Sequence, residues 1–86
     1  MLLMDCQADG LGHLPTRFVI PLLVPADVPR PIARLNPLVT LDGSVLLVAT
    51  HFAAAVPVRE LGDRVASLAD EQDRIVAAID FLLSGF

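Results

Sequence analysis

Asp42-Gly43 lies between two apolar runs, Leu38-Val39-Thr40-Leu41 and Ser44-Val45-Leu46-Leu47-Val48-Ala49-Thr50. A two-residue turn of this kind needs positive φ at both positions, which Asp tolerates and Gly adopts freely. The pair therefore specifies a β-hairpin and antiparallel pairing for the middle of the chain. Strand-like runs also occur at Leu2–Gln7, at Arg17-Phe18-Val19-Ile20-Pro21-Leu22-Leu23 and at Val56-Pro57-Val58. Pro21 has no N–H to give to a ladder, which predicts an edge or a bulge there. Gly10-Leu11-Gly12-His13-Leu14-Pro15 reads as a loop, because two glycines and a proline hold no regular element. Three prolines between Pro25 and Pro31 predict an extended, irregular connection.

Near Ser67 the period changes from two to 3.6. Ser67-Leu68-Ala69-Asp70 has the residues of a helix start, with the Ser oxygen able to accept an early N–H and the Asp facing the positive end of the dipole. A helix over 68–84, stopped by Gly85, is predicted. Leu68, Ile75, Ile79 and Leu82 are its expected packing residues. At about 100° per residue, Leu68, Ile75, Leu82, Leu83 and Phe86 fall within about 60° of Ile79. Phe81 falls almost opposite, among Asp70, Arg74, Ala77 and Ser84. A single exposed Phe is ordinary on a soluble protein. The sharper reading is a partner-binding face at the C-terminal end of this helix, ending in Ser84-Gly85-Phe86. Several antiparallel strands and one C-terminal helix make a mainly β fold, a small barrel or bent sheet with a covering helix, in one domain over residues 1–86.

With 86 residues and 55% hydrophobic residues, the chain carries more apolar surface than one small core can bury, which predicts a homodimer or an obligate partner. Pro21, Pro25, Pro37 and Pro57 interrupt every apolar run before it reaches a membrane span, so no membrane partner is expected. The Met1-Leu2-Leu3-Met4-Asp5 start lacks the basic region of a signal peptide, and the lone Cys6 fits a reducing, cytoplasmic setting. A net charge of −4 argues against nucleic-acid binding through a broad basic patch, a local cluster such as Arg30 and Arg34 aside.

Catalytic constellations are scarce. His13 and His51 are far apart, with no second ligand beside either, and read as loop or surface residues. One cysteine gives no metal-binding spacing. Gly10-Leu11-Gly12 lacks the third glycine and following helix of a phosphate loop. Cys6 reads as a small hydrophobe in a strand. Asp70, Glu71 and Asp73 are explained by the helix dipole. No cofactor, metal or catalytic residue is expected, and the inventory fits a binding module rather than an enzyme.

Five stretches carry a resemblance over nearly the whole chain: Asp5-Cys6-Gln7-Ala8-Asp9, Arg17-Phe18-Val19-Ile20-Pro21-Leu22, Leu35-Asn36-Pro37-Leu38-Val39, Ala55-Val56-Pro57-Val58 and Ser84-Gly85-Phe86. In order and spacing the chain resembles the CcdB family, the toxin half of bacterial toxin–antitoxin modules. The resemblance implies a homodimer of an SH3-like barrel of the CcdB–MazF type with a C-terminal helix. It implies binding to the A subunit of DNA gyrase, trapping of gyrase in its cleaved-DNA state, and neutralisation by a partly disordered, CcdA-like antitoxin. By this resemblance the gyrase-contacting positions are Asp80, Ser84, Gly85 and Phe86, with Gly10 and Leu11 after the first strand. Phe81, from the helical wheel, joins them.

Two departures from the family bear on these expectations. Family members commonly carry tryptophan where this chain has Ser84, and a large aromatic anchor can supply several kcal/mol at an interface. They also begin with an additional strand, so that Met1–Asp5 corresponds to their second strand and a missing first strand is expected. Two alternatives stay open. A MazF/Kid-like endoribonuclease toxin would share the barrel, although six Lys+Arg against ten Asp+Glu suit RNA poorly. An antitoxin-binding relic that no longer harms gyrase would fit Ser84.

Overall fold

The computed structural model describes residues 2–7, 9–62 and 67–85. Five strands, β1 (Leu2–Asp5), β2 (Thr16–Leu23), β3 (Leu38–Leu41), β4 (Ser44–Val48) and β5 (Ala54–Pro57), precede one α-helix, α1 (Gln72–Ser84). Every pairing is antiparallel. The order is β1-β2-β4-β3, with β5 also on β2, which makes a half-barrel sheet with a single C-terminal helix.

The hairpin forms as its turn residues dictate. Asp42 has φ 51° and Gly43 φ 81°, and Leu41 faces Ser44 across the turn. β4 ends earlier than the apolar run does: Thr50 opens a 3₁₀ turn (Thr50–Phe52) that leads into β5.

Pro21 occupies the central strand, not an edge or a bulge. β1 lies along one side of β2, while β4 takes Leu22 and Leu23 and β5 takes Thr16–Val19 along the other. Phe18 accepts from the Cys6 N–H on the β1 side, whereas Pro21 accepts from the Ala49 N–H on the other side at 2.9 Å. The N of Pro21 therefore faces the junction where β4 has ended and β5 has not begun. The ring fills a place where no donor is required, which is how a central strand tolerates it.

The core lies between the concave face of the sheet and α1. Met4, Ile20, Leu22, Val39, Val48 and Ile75 form it, with Cys6, Leu46, Ala53, Leu68 and Ile79 packed around them. Leu47, of opposite parity, is fully buried too, and the Pro25–Asp27 turn packs against its strand. Burying each such aliphatic side chain contributes about 1.5–3 kcal/mol. The half-buried Cys6 behaves as the small hydrophobe expected. Burial, and then the charge of Asp5, push its thiol up from 9.0 to about 11.

The helix begins later than predicted and is turned differently. Ala69–Glu71 form a 3₁₀ turn, and α1 proper starts at Gln72 with Glu71 at the N-cap, making no side-chain cap bond. Ala78 is fully buried and Ile75 is 7% exposed, while Ile79 is only partly covered. The buried face therefore centres on Ala78, about 100° from Ile79. Outside its own 3₁₀ lead-in, α1 packs chiefly against the Thr50–Phe52 turn. Leu82, expected in the core, lies only about 40° from Ala78 yet is 42% exposed, so its exposure follows from its place in the last turn of α1 and not from the phase of the helix.

Candidate functional surface at the end of the helix

The last turn of α1 is shaped by its own hydrogen bonds. Gly85 adopts φ 82° and donates its N–H to the Phe81 carbonyl at 2.8 Å, the left-handed stop expected of it. Ser84 Oγ donates to the Asp80 carbonyl at 2.7 Å. Asp80, Ser84 and Gly85 are all exposed. Phe86 lies outside the described residues.

Two consequences of the rotated helix were not legible from the wheel. Leu83, placed on the core side by the Ile79-centred wheel, is 79% exposed, the highest exposure among the large hydrophobic residues described. It lies about 140° from the buried Ala78, well off the buried face. Phe81, placed on the polar side, lies about 60° from Ala78 and is half-buried. The Arg34 guanidinium covers its ring, with Cζ 4.8 Å from the centroid. The sequence holds no signal that picks out this phase, since Ala77, next to the buried Ala78, is as small and is exposed.

Arg34 reaches the helix from the long connection between β2 and β3. Asn36, 5% exposed, anchors that segment. Its N–H donates to the Ile32 carbonyl at 2.6 Å, and its Oδ1 accepts the Ile32 N–H at 3.1 Å. Its Nδ2 donates to the Val48 carbonyl at 3.1 Å and lies 3.3 Å from His51 Nδ1. From α1, Arg74 donates to the Leu38 carbonyl at 2.7 Å and pairs with Glu71 at 2.6 Å. A cavity of about 350 Å³ beside this loop is lined by Pro31, Ala33, Asn36, Pro37, Leu38 and Arg74. The polar groups of Asn36 and Arg74 are taken up in these bonds, so the cavity presents little reactive chemistry.

Gly10 and Leu11 belong to a separate 3₁₀ turn (Asp9–Leu11), where a loop without regular structure was expected. Gln7 fastens this turn to β2: its Nε2 donates to the Leu11 carbonyl at 2.8 Å, while its Oε1 accepts the Phe18 N–H at 3.1 Å. Gly10 and Leu11 are exposed. The structure thus gathers Asp80, Phe81, Ser84 and Gly85 into one helical turn, and leaves Gly10 and Leu11 in another part of the chain.

His13 and His51 are both exposed, and the His51 ring rests on Phe52 with centroids 4.3 Å apart. Among the described residues no three His, Cys, Asp or Glu side chains group as metal ligands. None of the described helices is long and apolar enough to cross a membrane. What the helix end offers is contact: an exposed leucine, an Arg–Phe cation–π pair, a carboxylate and a glycine with open space beside it.

A family model described as CcdB protein matches residues 1–85. No curated protein matches.

Proposed function

The chain belongs to the CcdB family of toxin–antitoxin toxins, and from that premise we propose that it is a non-enzymatic toxin that binds the A subunit of DNA gyrase. In this reading it holds gyrase in the cleaved-DNA state until a CcdA-like antitoxin removes it. The observation that carries the proposal is the exposed apolar end of α1, where Leu83 stands 79% exposed beside Asp80, Ser84 and Gly85. Leucine at that exposure gains little for the fold and much at a dry interface. Gly10 and Leu11 are proposed as a second contact and Phe86 as the end of the first.

The protein is proposed to act as a homodimer in the cytoplasm. Leu2, Leu3, Val24, Ile32, Val45 and Phe52 are each at least 39% exposed, apolar surface that a second copy could cover. A second reading, a family member that binds an antitoxin but spares gyrase, is favoured by Ser84. Its hydroxyl is bonded back to the helix and it offers no aromatic anchor. Induced expression separates the two. Growth arrest in cells with wild-type gyrase, absent in cells whose gyrase resists CcdB, supports the gyrase reading. Unimpaired growth of both, with the protein present and folded, supports the second.

A further inference from the structure

We propose that Arg34, from the connection between β2 and β3, belongs to the partner-binding surface at the end of α1 and pairs there with an acidic side chain of the partner. This rests on the gyrase-binding reading and adds a determinant that lies 46 positions before Asp80 in the chain.

Three observations carry it. First, Arg34 is exposed, yet its guanidinium is held against the Phe81 ring at 4.8 Å. A cation–π contact takes up no N–H hydrogen bond, so the guanidinium keeps donors that match a carboxylate. Second, among the described residues no carboxylate or carbonyl takes its N–H groups. Arg17 and Arg74, by contrast, pair with Asp5 and Glu71. Arg34 is thus a cation with unspent donors in a chain of net charge −4. Third, its loop is fastened by the bonds of the buried Asn36, and Arg74 of α1 holds the following Leu38. Holding the side chain in place before binding lowers the entropy cost of using it, and Arg and aromatic residues are enriched among interface hot spots. The alternative is that Arg34 only shields Phe81 from water.

Calorimetric titration of the gyrase A dimerisation fragment into the parent and into Arg34→Ala, Arg34→Lys and Arg34→Glu distinguishes these roles. Thermal melts of all four proteins accompany the titrations. The expected result is a Kd raised about tenfold by Arg34→Ala and about a hundredfold by Arg34→Glu, with partial recovery in Arg34→Lys. The salt dependence of binding should become shallower in Arg34→Ala, and melting temperatures should stay close to the parent's. A shielding role would lower the melting temperature and leave the salt dependence untouched, which overturns the proposal. Unchanged Kd in all three variants overturns it as well, while leaving the gyrase reading intact. Failure of the folded parent to bind overturns both.

Discussion

Gly85 donates its backbone N–H to the Phe81 carbonyl at 2.8 Å while holding φ at 82°. One residue thereby closes the helix and lies in the turn proposed to meet gyrase. Its chain neighbours aside, no atom lies within 4 Å of where a Cβ would be, so space does not restrict it, but backbone conformation does. A side chain at this φ costs about 1–2 kcal/mol. Gly85→Ala is therefore expected to lower stability by about that amount and to keep most gyrase binding. Gly85→Glu should lose a similar amount of stability and, in addition, lose binding. Comparing Kd with thermal melts for the pair separates strain from contact. Equal Kd values for the two variants would remove Gly85 from the interface.

Burial along α1 makes opposite predictions for two residues of similar size, Ile75 and Leu83. Ile75→Ala is expected to cost about 2–4 kcal/mol, since Ile75 is 7% exposed in the core. Leu83→Ala should fall within about 0.5 kcal/mol of the parent in stability, yet weaken gyrase binding. Denaturant melts check the first half and titration the second.

Thr50 is fully buried, and its hydroxyl has no hydrogen-bond partner among the described residues. Burying an unpaired hydroxyl costs about 1–3 kcal/mol. Thr50→Val keeps the branched shape and removes the oxygen, so it is expected to stabilise the protein by about 1 kcal/mol. Asn36→Ala should act in the opposite sense, because it leaves the Ile32 N–H and the Val48 carbonyl without their partner. Melting temperatures of the two variants should move apart.

The Cys6 thiol, pushed up to about 11 by burial and by Asp5, stays protonated near neutral pH. Alkylation of Cys6 at pH 8 should be much slower than that of a free thiol and should accelerate on unfolding. The folded state holds this proton more tightly than the unfolded chain does. The associated stability is complete below pH 9 and is lost as pH rises toward 11. Rapid labelling of the folded protein would contradict this burial.

What was legible in the sequence was local. Asp42-Gly43 announced the hairpin because only a few residues accept positive φ, and Gly85 announced the helix stop for the same reason. Tertiary placement was not legible. The position of Pro21 depends on where two other strands end, which no property of the strand itself encodes. The phase of α1 puts the small Ala78 on the buried face, whereas hydrophobicity alone ranks Ile79 above Ala78. Arg34 was visible as a charge, but its place over Phe81 is set by the folding of a proline-rich connection anchored by Asn36.

Binding of gyrase by the end of α1 is tested most directly by titration of the gyrase A dimerisation fragment into the folded parent and into Leu83→Asp, which places a charge on the most exposed apolar residue of that turn. Saturable binding by the parent, lost in a Leu83→Asp variant of unchanged melting temperature, is the predicted result. A parent that does not bind, or a Leu83→Asp variant that binds as the parent does, would contradict it.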